Sequence, residues 1–272
     1  MRQLLAISTS VLLSVAALGA MQPKVEKTSG AGPKSGDDPP PVVVELFTSE
    51  GCSSCPPADA LLLKLMERQR PGQASIVALE EHVDYWDQLG WRDPFSSREW
   101  TERQENYAAS FGNGNVYTPQ MVVDGRLEFV GSREGEARRV IEEQARKPKA
   151  SVSVTPANSS DGKERFSIHV GKLTDPRGDD TFEVWLAITE TGLHSEVTRG
   201  ENAGEDVHHA AVVRALRKIG VANTKNSEAS FTGEASLAFD RGWKRDNLRA
   251  VVFVQEKNGR QIVGAAETKI TP

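Results

Sequence analysis

The stretch that most limits what this chain can fold into is Val42-Val43-Val44-Glu45-Leu46-Phe47, which runs through a short connection into Cys52-Ser53-Ser54-Cys55-Pro56-Pro57. A run this rich in β-branched and apolar residues reads as a strand. From Ala58 to about Arg68, the residues Ala58, Leu61, Leu62, Leu65 and Met66 recur at the spacing of an amphipathic helix. Pro56 and Pro57 suit its first turn, where a missing amide proton costs least, so Cys52 falls in the loop just ahead. After a turn at Pro71-Gly72, Ser75-Ile76-Val77-Ala78-Leu79 reads as a second buried strand. Strand, crossover helix and strand build a parallel pair, with both cysteines at the strand-to-helix junction.

Cys52 and Cys55 are the only cysteines among 272 residues. Two thiols at this spacing close a small disulfide ring, and a helix N-terminus favours thiolate over thiol. In an oxidising compartment such a pair can also be a structural bridge. A loop of two intervening residues constrains the unfolded chain little, however, which favours redox use over stapling.

Farther along, His82-Val83-Asp84-Tyr85-Trp86-Asp87 and Gly90-Trp91-Arg92-Asp93-Pro94-Phe95 precede a helical stretch from Ser97, its N-cap, to about Phe111. Val116 to Val123 reads as a strand with Pro119 near its start, and Asp124-Gly125 signals a hairpin into Arg126 to Val130. Arg133 to Arg146 reads as a charged helix halted at Lys147-Pro148. The order to this point is βαβ, αββα.

That order, with a dithiol after the first strand and Thr118-Pro119 opening the third, resembles the thioredoxin-like fold. The phrases Glu45 to Asp59, His82 to Asp87 and Tyr117-Thr118-Pro119-Gln120 are similar to the exported bacterial family DUF1223, a thioredoxin-like group, over roughly Val42 to the C-terminus. The resemblance implies Cys52 as attacking cysteine, Cys55 as resolving cysteine and Pro119 as a cis-proline lying against the dithiol, where an incoming peptide is held. Thioredoxins usually carry a tryptophan before the first cysteine and Gly-Pro between the two. Gly51 and Ser53-Ser54 stand here, so substrate contacts and redox potential do not carry over.

From about Ala150 the pattern changes. Ser151 to Val154, Arg165 to Val170, Phe182 to Ile188, Ala235 to Phe239 and Leu248 to Val254 are strand-like and mostly alternating, separated by Gly, Asp and Pro turns. They suggest a β-sandwich domain with one helical insert, about His208 to Ile219. The neighbourhood of that insert, Arg199-Gly200-Glu201-Asn202-Ala203-Gly204 through Val207-His208-His209, and the strand pattern are similar to the C-terminal part of exported Omp28-like proteins.

At the other end, Arg2, the apolar stretch Leu4 to Leu18 and the small residues around Ala20 read as an export signal, too short for a comfortable membrane span. Residues 21–41, dominated by Pro, Gly, Ser, Lys and Asp, read as a disordered linker. The expected organisation is a signal peptide (1–20), linker (21–41), thioredoxin-like α/β domain (42–149) and β-sandwich-like domain (150–272). The mature chain is expected in the periplasm or outside the cell, with no membrane span after cleavage. A net charge of −5 with mixed signs gives no basic stripe for nucleic acid.

The leading functional reading is an exported thiol–disulfide oxidoreductase whose partners are protein thiols or disulfides, or a periplasmic redox protein. Its cycle requires no metal ion or organic cofactor. Glu50 would oppose thiolate formation if close, or accept a proton if partly desolvated; a solvated loop position is the alternative. His82 and Asp84 follow the second strand at the same sheet end as the cysteines, and would transfer protons or shape the loop. Trp86 and Thr118 would line a substrate groove. Arg103 is expected to bridge Asp84 or Asp87, and His208 and His209, adjacent on the expected helix, to cap it or face solvent. Two other readings stay open: copper or zinc held by both thiolates and His82, or a binding module with Cys52–Cys55 as a permanent clip.

Overall fold

Every residue of β1 (Val42–Thr48) and β2 (Ile76–His82) is buried, the mark of strands covered on both faces. They pair in parallel from Val42↔Ile76 to Thr48↔His82, joined by the crossover helix α1 (Pro56–Glu67). In this computed structural model the described residues are 39–67, 74–112, 114–160, 163–173, 181–225 and 228–270. The expected signal peptide, nearly all of the expected linker and the turn at Pro71-Gly72 lie outside them. No described helix is long and apolar enough to cross a membrane.

Side chains alternate across a strand, and the two faces of β1 and β2 bury against different partners. Val42, Val44 and Leu46 meet Leu61, Leu62 and Leu65 of α1 and Val140 and Ile141 of α3 (Glu134–Ala145). Val43, Val77 and Leu79 meet Trp100 of α2 (Arg98–Phe111). Ser97 caps α2, its side chain accepting from the Glu99 amide. β3 (Gln120–Val123) runs antiparallel to β1 and turns through Asp124-Gly125 into β4 (Leu127–Val130). Those two turn residues have φ of 50° and 60°, as a two-residue hairpin of this twist demands. A Cβ on Gly125 would lie 1.9 Å from the Arg260 carbonyl oxygen, so only glycine fits.

The remaining strands are β5 (Val152–Ser160), β6 (Lys163–Leu173), β7 (Phe182–Glu190), β8 (Leu193–Glu196), β9 (Asp206–His209), β10 (Val212–Lys225), β11 (Glu228–Leu237), β12 (Leu248–Glu256) and β13 (Ile262–Lys269). Eight strands form one mixed sheet in the order β13-β12-β7-β10-β2-β1-β3-β4. At the far end of β10, β11, β6 and β5 branch off in antiparallel succession. Phe166, Ile168 and Val170 of that branch pack on Val184, Leu186, Val252 and Val254. β8 and β9 form a separate hairpin.

This corrects the expected architecture. Among the described residues strand outweighs helix by more than two to one, and what was expected as a thioredoxin-like α/β domain followed by an all-β domain is built on one continuous sheet. The expected helix at 208–219 does not form; the segment gives the end of β9 and the start of β10. Val212 bridges Glu80 in parallel, and the Glu80 amide donates to Ala211 O at 2.9 Å, which fuses the two halves. Ala210, Ala211, Val212 and Val213 are all buried. A strand covered on both faces loses its alternation, and a short apolar run then fits a helix equally well.

Beneath α2 lies a buried ionic network. Arg103 Nε donates to Glu45 Oε2 at 2.6 Å and lies 3.2 Å from Glu81 Oε1, while Nη1 donates to Gln255 Oε1 of β12 at 3.3 Å. Tyr107 donates to Glu45 and accepts from Gln255 at 2.7 Å. Arg103 therefore joins strand carboxylates on β1 and β2 rather than the expected Asp84 or Asp87. Removing one partner of a buried ion pair leaves uncompensated charge. Arg103→Met is expected to lower unfolding free energy by about 3–5 kcal/mol, measured by chemical denaturation. An unchanged midpoint and slope would contradict this role.

Candidate functional site

The connection after β1 tightens in two steps: Cys52 N–H donates to Ser49 O at 3.1 Å, and Cys55 N–H to Cys52 O at 3.1 Å. Cys55 O then accepts from Ala58 at 2.8 Å, starting α1. Cys52 and Cys55 are joined in a disulfide, with Cα atoms 5.4 Å apart, across the N-terminal end of the helix. Cys52 lies in the loop ahead of α1, as its position before Pro56-Pro57 implies. Both cysteines have no exposed surface, although Ser53 and Ser54 between them are exposed. Exposure therefore does not single out Cys52 as the attacking residue.

Three segments crowd this ring. The Thr118–Pro119 peptide is cis, and Thr118 O accepts from Ser54 Oγ at 3.5 Å. Trp86 Nε1 donates to Thr118 Oγ1 at 2.8 Å. A Cβ on Gly51 would come within 3.2 Å of Trp86 Cβ, so the small residue ahead of Cys52 admits a tryptophan from another loop. The third segment is the loop joining β8 to β9. Asn202 Nδ2 donates to Glu50 O at 2.8 Å and Cys52 O at 3.0 Å, and Ser53 N–H donates to Glu201 at 3.3 Å.

Behind the ring is a fully buried cluster of acids and imidazoles. Glu50 is not a solvated loop residue: its carboxylate accepts from Trp91 Nε1 at 2.7 Å and His209 Nε2 at 3.0 Å. His82 Nδ1 donates to Asp93 at 2.7 Å, and the β1–β2 register sets His82 beside Thr48, at the cysteine end of the sheet. His209 Nδ1 donates to Glu80 Oε1 at 2.8 Å. Asp59, in the first turn of α1, accepts from Thr48 Oγ1 at 2.7 Å. Asp84 points elsewhere, accepting from Thr101 Oγ1 of α2 at 2.6 Å.

The electrostatics follow from burial and charge together. Burial opposes charge on His209, but Glu80 and the bond to Glu50 outweigh it and raise its pKa to about 9. Burial opposes His82 likewise, and Asp93 and Glu80 carry it well above the usual imidazole range. Asp59 is pushed up to about 7 by its own burial and then by the charge of Glu80. Among the described residues, the groups able to converge on a metal ion are Glu80/His82/His209 and the exposed His194/Asp206/His208. Neither includes a cysteine.

Sequence reasoning missed Asp59, Glu80, Asp93, Asn202 and His209. Asp59 had a signal: it shares the helical face of Leu62 and Met66, where a carboxylate is unexpected. Glu80 had a weaker one, since it continues a buried strand that the apolar pattern ends at Leu79. His209 had none, because its segment was expected to be helical, with this residue capping or facing solvent; it is a buried strand residue.

The family model DUF1223, described as protein of unknown function, matches residues 43–255. Among solved structures, a protein of Agrobacterium tumefaciens, AGR_C_4864, shares 27% identity over 85% of this chain and 94% of its own, with a TM-score of 0.62. HBP35 of Porphyromonas gingivalis shares 14% identity over 87% of this chain and 77% of its own, with a TM-score of 0.63, a likeness of fold alone. A domain of the outer membrane lipoprotein Omp28 from the same organism reaches a TM-score of 0.27 at 14% identity, over 46% of this chain and 90% of its own, too low to carry an argument. No curated protein gives a significant match.

Asn202 ties the β8–β9 loop to the carbonyls flanking the ring, and each such bond contributes about 0.5–1.5 kcal/mol net. Asn202→Ala is expected to speed reduction of the disulfide by a small phosphine about 5- to 100-fold, followed by thiol labelling in the folded state. An unchanged rate would mean that this loop does not control access to the sulfurs.

Proposed function

Since this chain belongs to DUF1223, a family whose description assigns no function, we propose from its own chemistry that it is an exported thiol–disulfide oxidoreductase. The observation that carries the reading is the Cys52–Cys55 disulfide across the N-terminal end of α1, beside a cis Thr118–Pro119 peptide. A helix N-terminus stabilises the thiolate that exchange requires. Ser54 Oγ lies 3.4 Å from Cys52 Sγ, where it would donate to that anion.

In the reducing direction, Cys52 thiolate attacks one sulfur of a substrate disulfide. A Cys52–substrate bond forms, the substrate S–S bond breaks, and the departing thiolate takes a proton from water. Cys55 thiolate then attacks Cys52 Sγ, the second substrate thiolate leaves and is protonated, and the Cys52–Cys55 bond re-forms. The substrate gains the two electrons that the pair loses, and the same steps in reverse oxidise a dithiol. Trp86, Thr118 and Pro119 would form the wall on which a peptide rests once the β8–β9 loop moves aside. The apolar stretch at residues 4–18 supports export to the periplasm or beyond.

Complete burial of both sulfurs favours a second reading, a permanent structural clip. Trapping separates the two. A Cys55→Ser chain expressed in its exporting host is expected to accumulate mixed disulfides through Cys52, seen as reductant-sensitive bands on non-reducing gels and absent from Cys52→Ser. Folded Cys55→Ser protein that traps nothing would favour the clip.

A further inference from the structure

We propose that Glu80, His82 and His209 form a buried site for one divalent transition-metal ion of the zinc type, separate from the cysteines. This goes beyond the redox reading and does not rest on it. Glu80 and His82 stand two apart on β2 and so share one face. His209 arrives from β9, and its ring centroid lies 4.6 Å from that of His82. One donor atom from each residue falls within 4.8 Å of the others.

Each ligand is already oriented for that role. The usual partner of a metal-bound imidazole is a carboxylate on its other nitrogen, which fixes ring and tautomer. Here Asp93 holds His82 by Nδ1 at 2.7 Å and Glu50 holds His209 by Nε2 at 3.0 Å, which turns His82 Nε2 and His209 Nδ1 inward. Glu80 is held the same way: Oε2 accepts from the Ala210 amide at 2.5 Å and the Ala211 amide at 3.4 Å, turning Oε1 to the imidazoles.

His82 Nε2 is the independent observation. It is fully buried, makes no well-formed hydrogen bond and meets Glu80 Oε1 only as a loose ion pair at 3.5 Å, although a buried polar atom left poorly satisfied is costly. Donors bound tetrahedrally at about 2.0–2.2 Å stand about 3.3 Å apart. The Glu80–His82 gap of 3.5 Å already fits, and the Glu80–His209 gap of 2.8 Å would open by about half an ångström. Two imidazoles and a carboxylate suit zinc and its neighbours rather than calcium or magnesium, and the absence of sulfur disfavours copper(I). The ion would fasten β9, and with it the loop over Cys52, to β2.

The test uses the mature, disulfide-bonded chain, stripped by a chelator and titrated with zinc against a chromogenic competitor. About one ion per chain is expected, with X-ray absorption of the loaded protein showing imidazole and no sulfur. A Cys52→Ser/Cys55→Ser chain should bind as tightly, so failure of the redox reading would leave this result standing. His82→Gln, His209→Gln and Glu80→Gln should each weaken binding by more than the roughly 10- to 100-fold expected of Glu50→Gln, which only orients a ligand. His194→Ala/His208→Ala should change nothing. Folded wild-type protein that takes up no zinc would overturn the proposal, as would sulfur in the absorption spectrum or uptake abolished by losing the exposed pair. The wild-type measurements decide the matter even if a ligand variant fails to fold.

Discussion

Glu80 joins the halves of this protein by main chain and side chain together. Its amide donates to Ala211, and its carboxylate accepts from the Ala210 and Ala211 amides and from His209. This is where β2 and β10 meet in the sheet. Because the β8–β9 hairpin precedes β10 directly, anchoring β10 there also places Asn202 and Glu201 against the cysteine ring. Without that junction, the helix-bearing half would present an unpaired edge at β2 and Cys52 would lose its cover. A buried carboxylate accepting several hydrogen bonds is stabilising only while its partners stay in place.

Glu80 and Glu81 are neighbours in sequence yet serve opposite faces of the sheet, as strand geometry requires. Glu81 pairs with Arg103 under α2, whereas Glu80 meets the imidazoles beside α1. The two environments differ in kind. Arg103 is a permanent cation matched to Glu45 and Glu81, a fixed internal brace. His82 and His209 carry exchangeable protons among Glu50, Glu80, Asp93 and Asp59, close to the only sulfur pair in the chain. The first arrangement suits stability and the second suits chemistry.

Much of the helix-bearing half was legible because its signals are local. The parallel pair around α1, the Ser97 cap, the Asp124-Gly125 turn and the loop position of Cys52 each follow from propensity within a few residues. The joining of the halves was not legible, because it depends on the entry to β10, Ala210 to Val213, being covered on both faces, which removes the alternation that marks a strand. A helix over 208–219 would leave His209 away from His82, whereas the strand β9 sets the two rings 4.6 Å apart. Arg103 was recognisable as a buried cation, but α2 packs over β1 and β2, which brings it to Glu45 and Glu81 on the strands instead of Asp84 or Asp87 in the connection.

The role proposed for Cys52–Cys55 is an exchange centre beneath a cover rather than a permanent clip. Its most direct test is the reduction potential of the full chain, equilibrated in graded dithiothreitol or glutathione buffers and read by thiol alkylation. An exchange centre is expected to give a value above about −300 mV, within reach of cellular thiol partners. A value below that level would mark a bridge resistant to reduction and contradict that role.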